Sequence, residues 1–214
     1  MISTFFAKDE LEILCLGAHC DDIEIGCGGT LLKLREGYRV KGLKWIVFAS
    51  NEQRKREAEE SAEIFLRGIE NKEIIVLDYQ DAFLHLSARE IKEYFESVKQ
   101  SYQPDLVFTH YRDDRHQDHR LLSDLTWNTF RNHLILEYEI PKYDGDLGQP
   151  NCFCQLTETQ ADRKVEILLN CYHSQKEKHW FDKETFLSLM RVRGLESACP
   201  TRYVEAFYAR KWVL

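Results

Sequence analysis

The stretch Ile13-Leu14-Cys15-Leu16-Gly17-Ala18-His19-Cys20-Asp21-Asp22-Ile23-Glu24 sets the frame for the rest of the chain. Its first half is apolar without alternation, as in a strand buried on both faces, which belongs to a parallel sheet covered by helices. Runs of the same kind recur at Trp45 to Ala49, Ile74 to Leu77 and Leu106 to Thr109. Between and after them, Gly28 to Glu36, Arg54 to Leu66, Ala88 to Gln100 and His116 to Phe130 space their apolar residues three and four apart, the helical period. Ser87, followed three residues later by Glu90, predicts a capping box at the start of the third helix. Strand and helix in alternation predict an α/β fold: an open, mostly parallel sheet with helices on both faces. The last third reads as strands at Ile135 to Ile140, Cys152 to Leu156 and Val204 to Val213, and helices at Gln160 to Tyr172 and Lys183 to Val192. The turn-rich Lys142 to Asn151 segment reads as a long surface loop.

In such a sheet the ligand crevice lies outside the carboxyl ends of the strands, so the residues just after each apolar run are the candidates for function. The first run is followed by His19 to Glu24, and the fourth by His110-Tyr111-Arg112-Asp113-Asp114-Arg115-His116-Gln117-Asp118-His119. Imidazoles and carboxylates this dense repel or lose hydration unless a cation organises them, so the two clusters imply a bound metal for which two histidines and one aspartate suffice. His116 and His119 share a helix face if the helix begins there, and only one need be a ligand. Taken singly, Asp21, Asp22, Asp113 and Asp114 are equally well read as helix-entry carboxylates favoured by the helix dipole.

The chain resembles the LmbE-like, or PIG-L, zinc-dependent de-N-acetylases that act on N-acetylglucosamine-containing substrates. The resemblance rests on Ala18-His19-Cys20-Asp21-Asp22-Ile23-Glu24, where the family has AHPDD-x-E, and on His116-Gln117-Asp118-His119, where it has HPDH. Gly28-Gly29-Thr30-Leu31, an R-x-x-E helix at Arg56 to Glu60, Tyr172-His173-Ser174-Gln175 and Val204-Glu205-Ala206-Phe207 support it. The resemblance implies a Rossmann-like, three-layer αβα fold and one deacetylase domain over residues 1–214, as the 214-residue length also suggests. It implies that His19, Asp22 and His119 hold zinc, with a water or substrate oxygen in the open position. It further implies Asp21 as general base, His116 as oxyanion stabiliser or proton donor, and Asp118 as the residue orienting one imidazole. Arg56 and Asp81 are implied as substrate contacts, Arg56 alternatively being part of a solvated charge run. Three protein ligands and an open position suit zinc hydrolysis of an amide, and two histidines with a carboxylate also suit Fe2+. Cys20 and Gln117 stand where the family has Pro. Cys20 reads as a small side chain filling that space, His110 as a support behind the ligands, and Gln175 as structural.

The alternatives are a Rossmann-like nucleotide- or cofactor-binding protein, suggested by Gly26-Cys27-Gly28-Gly29-Thr30, a metal-dependent amidase acting on another amide, and a binding protein of the same fold that has lost catalysis. In dinucleotide folds the glycine loop follows the strand directly, whereas Asp21, Asp22 and Glu24 intervene here. A net charge of −7 gives no electrostatic reason to bind nucleic acid or anionic membranes, and the partner expected is a small-molecule amino sugar conjugate. The first residues carry neither a signal-peptide pattern nor a membrane-length apolar run, from which a cytoplasmic protein without stable membrane insertion is expected. Seven cysteines at irregular spacings argue for reduced thiols rather than a disulfide framework. A homo-oligomer is compatible with all of this. The Tyr138 to Cys154 segment and the C-terminal third are expected to shape the aglycone half of the pocket.

Overall fold

The computed structural model describes residue 6 and residues 8–212, so the end of the last expected strand at Val213 lies outside the described residues. In chain order the elements are β1 (Glu10–Gly17), α1 (Asp22–Gly37), β2 (Arg39–Ala49), α2 (Glu52–Phe65), β3 (Asn71–Tyr79), α3 (Ala88–Ser101), β4 (Leu106–His110) and α4 (Gln117–Thr129). They continue with β5 (Leu134–Tyr138), β6 (Cys152–Leu156), α5 (Glu158–Cys171), α6 (Lys183–Glu196) and β7 (Tyr203–Ala209). The strands form one sheet in the order β3-β2-β1-β4-β5-β7-β6. All pairs from β3 to β5 are parallel, and β7 runs antiparallel to both of its neighbours. This is the mostly parallel α/β sheet expected from the apolar runs.

Side-chain alternation along the central strands divides the core in two. Ile13, Cys15, Trp45, Val47 and Phe108 pack on one face with residues of α1, α2, α5 and α6, such as Phe65, Leu168 and Phe186. Leu14, Leu16, Ile46, Phe48 and Val107 pack on the other with Ile91 and Phe95 of α3 and Leu122 of α4. Strands buried on both faces explain why these runs lack polar alternation. The sheet is built outward in both directions from β1 and β4, so the ends of these two strands flank the crevice where a doubly wound fold binds its ligands.

α1 starts at Asp22, ahead of the expected Gly28, because Asp22 and Glu24 suit the positive end of the helix and the glycines do not break it. A Cβ would lie 2.2 Å from the Tyr138 ring at Gly26, 2.9 Å from Phe65 at Gly28 and 2.5 Å from Leu156 at Gly29. These glycines therefore serve close packing. The helix is also gripped by side chains from α5 and β7: Lys164 Nζ donates to Ile25 O at 2.6 Å, and Glu205 accepts from Gly29 N at 2.8 Å and Thr30 N at 2.6 Å. Lys164 and Glu205, themselves paired at 2.6 Å, thus clamp the helix at Ile25, Gly29 and Thr30 from outside. Those amides are committed, and the glycine run loses its reading as a nucleotide loop.

The capping box expected at Ser87 does not form, since the Ser87 side chain makes no capping bond. A 3-10 turn at Leu84–Ser87 feeds directly into α3 and accepts the Ala88 amide through His85 O instead. The capping box is at α5, between Thr157 and Gln160.

Candidate functional site

The two polar clusters meet at the carboxyl ends of β1 and β4. His19 comes just after β1, Asp22 opens α1, and His119 lies in the first turn of α4, whose N-cap is His116. His19 Nδ1 is 3.2 Å from His119 Nε2 and 3.4 Å from Asp22 Oδ2, and His119 Nε2 is 3.6 Å from Asp22 Oδ1. All three residues are buried.

The outer nitrogen of each imidazole is occupied. His119 Nδ1 lies 2.9 Å from Asp114 Oδ2, and His19 Nε2 lies 3.0 Å from Asp81 Oδ1 and 3.3 Å from Asp118 Oδ2. Protons on those nitrogens leave two bare lone pairs facing each other beside the Asp22 carboxylate, an arrangement that requires a cation or an added proton between them. Without a metal the proton is the answer: burial lowers the pKa of His19, but Asp118 and Asp22 outweigh it and hold the ring well above the ordinary histidine value. The His119 imidazole is pushed down to about 3 by burial and by the neighbouring His110. The donor separations match the edge of a tetrahedron around zinc, roughly 3.3 Å for bonds near 2.0–2.1 Å. These residues fit the metal that the sequence implies.

The remaining predicted residues surround this triangle. Burial raises the pKa of Asp21 above the usual carboxylate range, against the opposing pull of Arg54, whose Nη2 donates to Asp21 Oδ1 at 2.7 Å. His116 is half-buried, and its Nδ1 accepts the Asp118 amide at 3.3 Å, which places its proton on Nε2. Burial, and then the neighbouring His19, lower its pKa below the ordinary histidine value. Asp118 touches His19 and also accepts the Ala82 and Leu84 amides at 2.8 and 3.2 Å. Gln117, in the place of the family's Pro, donates to Ala82 O at 3.2 Å, a bond Pro could not make. These contacts hold Ala82 at φ +67 and fix Asp81 at the mouth of the site, where its carboxylate is 61% exposed. His110 stacks on His119 with ring centroids 3.9 Å apart, and its Nε2 lies 3.2 Å from Asp22 Oδ2. Cys20 Sγ turns away to Ala49 O at 3.5 Å, and Gln175 is buried with its amide donating to Ser174 Oγ.

Arg56 is not at the site. Its side chain is 78% exposed and pairs with Glu52. The arginine that reaches the cluster is Arg54, with Nη2 on Asp21 and Nη1 3.9 Å from Asp81. The signal was present in the sequence: α2 buries Ala58, Ala62 and Phe65, a stripe that extends back four residues from Ala58 to Arg54, while Arg56 falls on the opposite side. Glu57, three residues on from Arg54, accepts from Ser174 N at 2.9 Å and Ser174 Oγ at 2.5 Å, so the R-x-x-E pattern in use is Arg54 to Glu57. Asp114 and Lys142, 2.8 Å apart, were also missed as site residues. Nothing local marks Asp114 off from its exposed neighbour Asp113.

The profile of the family described as PIG-L: GlcNAc-PI de-N-acetylase matches residues 14–130. An uncharacterized deacetylase, YaiS, from Escherichia coli K12 is 29% identical over 142 residues, covering 63% of this chain and 77% of that protein. Among solved structures, N,N'-diacetylchitobiose deacetylase from Pyrococcus horikoshii aligns with a TM-score of 0.68 at 21% identity, over 93% of this chain and 83% of its own. The 4-carboxy-2-hydroxymuconate hydratase GalB from Pseudomonas putida KT2440 aligns with a TM-score of 0.76 at 17% identity, over 95% of this chain and 98% of its own. At these identities the structural likeness establishes the fold, and it is a fold that also carries a hydratase.

Proposed function

The chain belongs to the PIG-L family of GlcNAc-PI de-N-acetylases, and from that premise we propose that it hydrolyses the N-acetyl group of an N-acetylglucosamine-type amino sugar conjugate, releasing acetate and a free amine. The observation that carries the proposal is the inward triangle of His19 Nδ1, His119 Nε2 and an Asp22 oxygen, each imidazole having its outer nitrogen already committed. These three residues would hold zinc, and Fe2+ also suits the donor set. The chemistry such an ion supplies is Lewis acidity toward the amide carbonyl and the attacking water.

The other roles belong to the chain itself. Asp21, its pKa raised by burial and its carboxylate held by Arg54, accepts the proton of the attacking water. His116, whose Nδ1 accepts the Asp118 amide, presents an Nε2–H that hydrogen-bonds the oxyanion, and the proton Asp21 takes from the water passes to the departing amine, so that the C–N bond breaks without expelling an amide anion. Asp118 orients His19 and fixes the start of α4. Asp81 and Arg54, rather than Arg56, face the space where sugar hydroxyls would bind. One continuous sheet carries all of these residues, which supports a single deacetylase domain. None of the described helices is long and apolar enough to cross a membrane.

Metal analysis of the purified protein beside an acetate-release assay on N-acetylglucosamine conjugates tests the proposal. About one zinc per chain with chelator-sensitive acetate release is expected. Absence of metal after reconstitution with zinc would overturn the assignment.

A further inference from the structure

Asp114 Oδ2 is shared by two donors. His119 Nδ1 lies 2.9 Å from it, and Lys142 Nζ lies 2.8 Å from the same atom. Lys142 stands in the irregular connection between β5 and β6, residues 139–151. That connection is anchored through Glu139, which takes two bonds from Arg193 at 2.7 and 2.9 Å, and Lys142 is its link to the site. Lys142 also reaches Asp146 Oδ2 at 2.6 Å, and this oxygen accepts the Arg115 amide at 2.6 Å. The side chains of Asp114, Asp146 and Lys142 are only 2%, 6% and 12% exposed, so the ammonium acts at short range and outside the reach of solvent screening.

A carboxylate accepting the outer N–H of a ligating imidazole makes the inner nitrogen a stronger donor. An ammonium on the same carboxylate oxygen withdraws part of that density. We propose that Lys142 is a positioning residue that sets, through Asp114, how strongly His119 Nε2 donates to the metal, so that the seating of the 139–151 connection tunes the metal's affinity and Lewis acidity. The proposal rests on the reading of His19, Asp22 and His119 as ligands. In its terms the wild-type site is weaker than its ligands allow, since a less donating imidazole leaves a more acidic metal.

Zinc affinity measured by competition with a chromophoric chelator tests it, read directly and without any activity assay. Lys142→Met is expected to bind zinc roughly 10-fold tighter, and Asp114→Asn about 10-fold weaker, the scale of an outer carboxylate's influence. Lys142→Arg keeps the wild-type affinity. In the Asp114→Asn background Lys142→Met changes nothing, because the path through the carboxylate is already cut. Lys142→Met/Asp146→Asn removes one charge of each sign and stands in if the single variant does not fold; it too binds more tightly. Unchanged or weaker zinc binding in the Lys142→Met variants overturns the proposal. So does a gain that survives Asp114→Asn, which would mark simple charge repulsion. A wild-type chain that takes up no zinc overturns the ligand assignment itself, a result distinct from either.

Discussion

Two buried clusters of ionisable groups sit along α1, one at its N-terminus and one at its middle. At the middle, Lys164 and Glu205 close on each other and on the backbone: the ammonium has a carboxylate and a carbonyl, and the carboxylate has two amides besides the ammonium. At the N-terminus, His19, Asp22 and His119 meet with two nitrogen lone pairs and a carboxylate turned toward one point. A charge network built for the fold is satisfied by its own members, and one built for a ligand is organised around something it does not contain. The same helix thus shows what distinguishes a structural ion pair from a site, which burial alone does not.

The largest expected effect separates the two clusters outright. Asp22→Ala should abolish zinc uptake and acetate release together, measured per folded chain, since it removes one of the three proposed ligands. Asp21→Asn should keep the zinc and lower the rate by about 10²–10⁴, measured as kcat with metal content determined on the same sample. Loss of metal in Asp21→Asn would assign that carboxylate to the ligand set. At the middle of α1 the expectation is reversed. Lys164→Met should cost about 3–5 kcal/mol in urea unfolding, because it leaves Glu205 buried and unpaired, with metal content per folded chain unchanged. Co-loss of zinc in proportion to folded protein would show that the two clusters are one unit.

The smallest and sharpest contrast lies two residues apart on α2. Arg54→Ala should lower kcat/KM by about 10-fold or more, the loss of a charge-assisted contact to Asp21. Arg56→Ala should leave the rate alone and shift stability by no more than about 0.5 kcal/mol, as an exposed i,i+4 pair with Glu52 does. Equal effects at both positions would mean that the guanidinium of Arg54 does not work on Asp21.

Local pattern made part of this molecule legible in its sequence. The apolar runs of β1, β2 and β4 were visible because they are covered on both faces, whereas β3, at the sheet edge with only Val76 buried, showed through its short β-branched run; the residues of the triangle were visible because they follow β1 and β4. The start of α1 was hidden by glycines whose reason is packing against Tyr138, Phe65 and Leu156, all distant in sequence. Ser87 and Glu90 have the spacing of a capping box, but the preceding 3-10 turn already supplies the bond. Arg54 was recoverable from the buried stripe of α2, whereas the pairing of Lys142 with Asp114 depends on where a loop without regular structure comes to rest, and no periodicity encodes that.

The clamp on the middle of α1 links distant parts of the chain. Glu205 accepts the Gly29 amide across 176 positions, and Lys164 reaches Ile25 O across 139. The helix that presents Asp22 is thus tied at its middle to two elements distant in sequence, α5 and β7. Hydrogen exchange at the Gly29 and Thr30 amides is therefore expected to report the docking of Glu205 as well as the helix itself, so that two amides of one turn read out the closure of the far side of the fold.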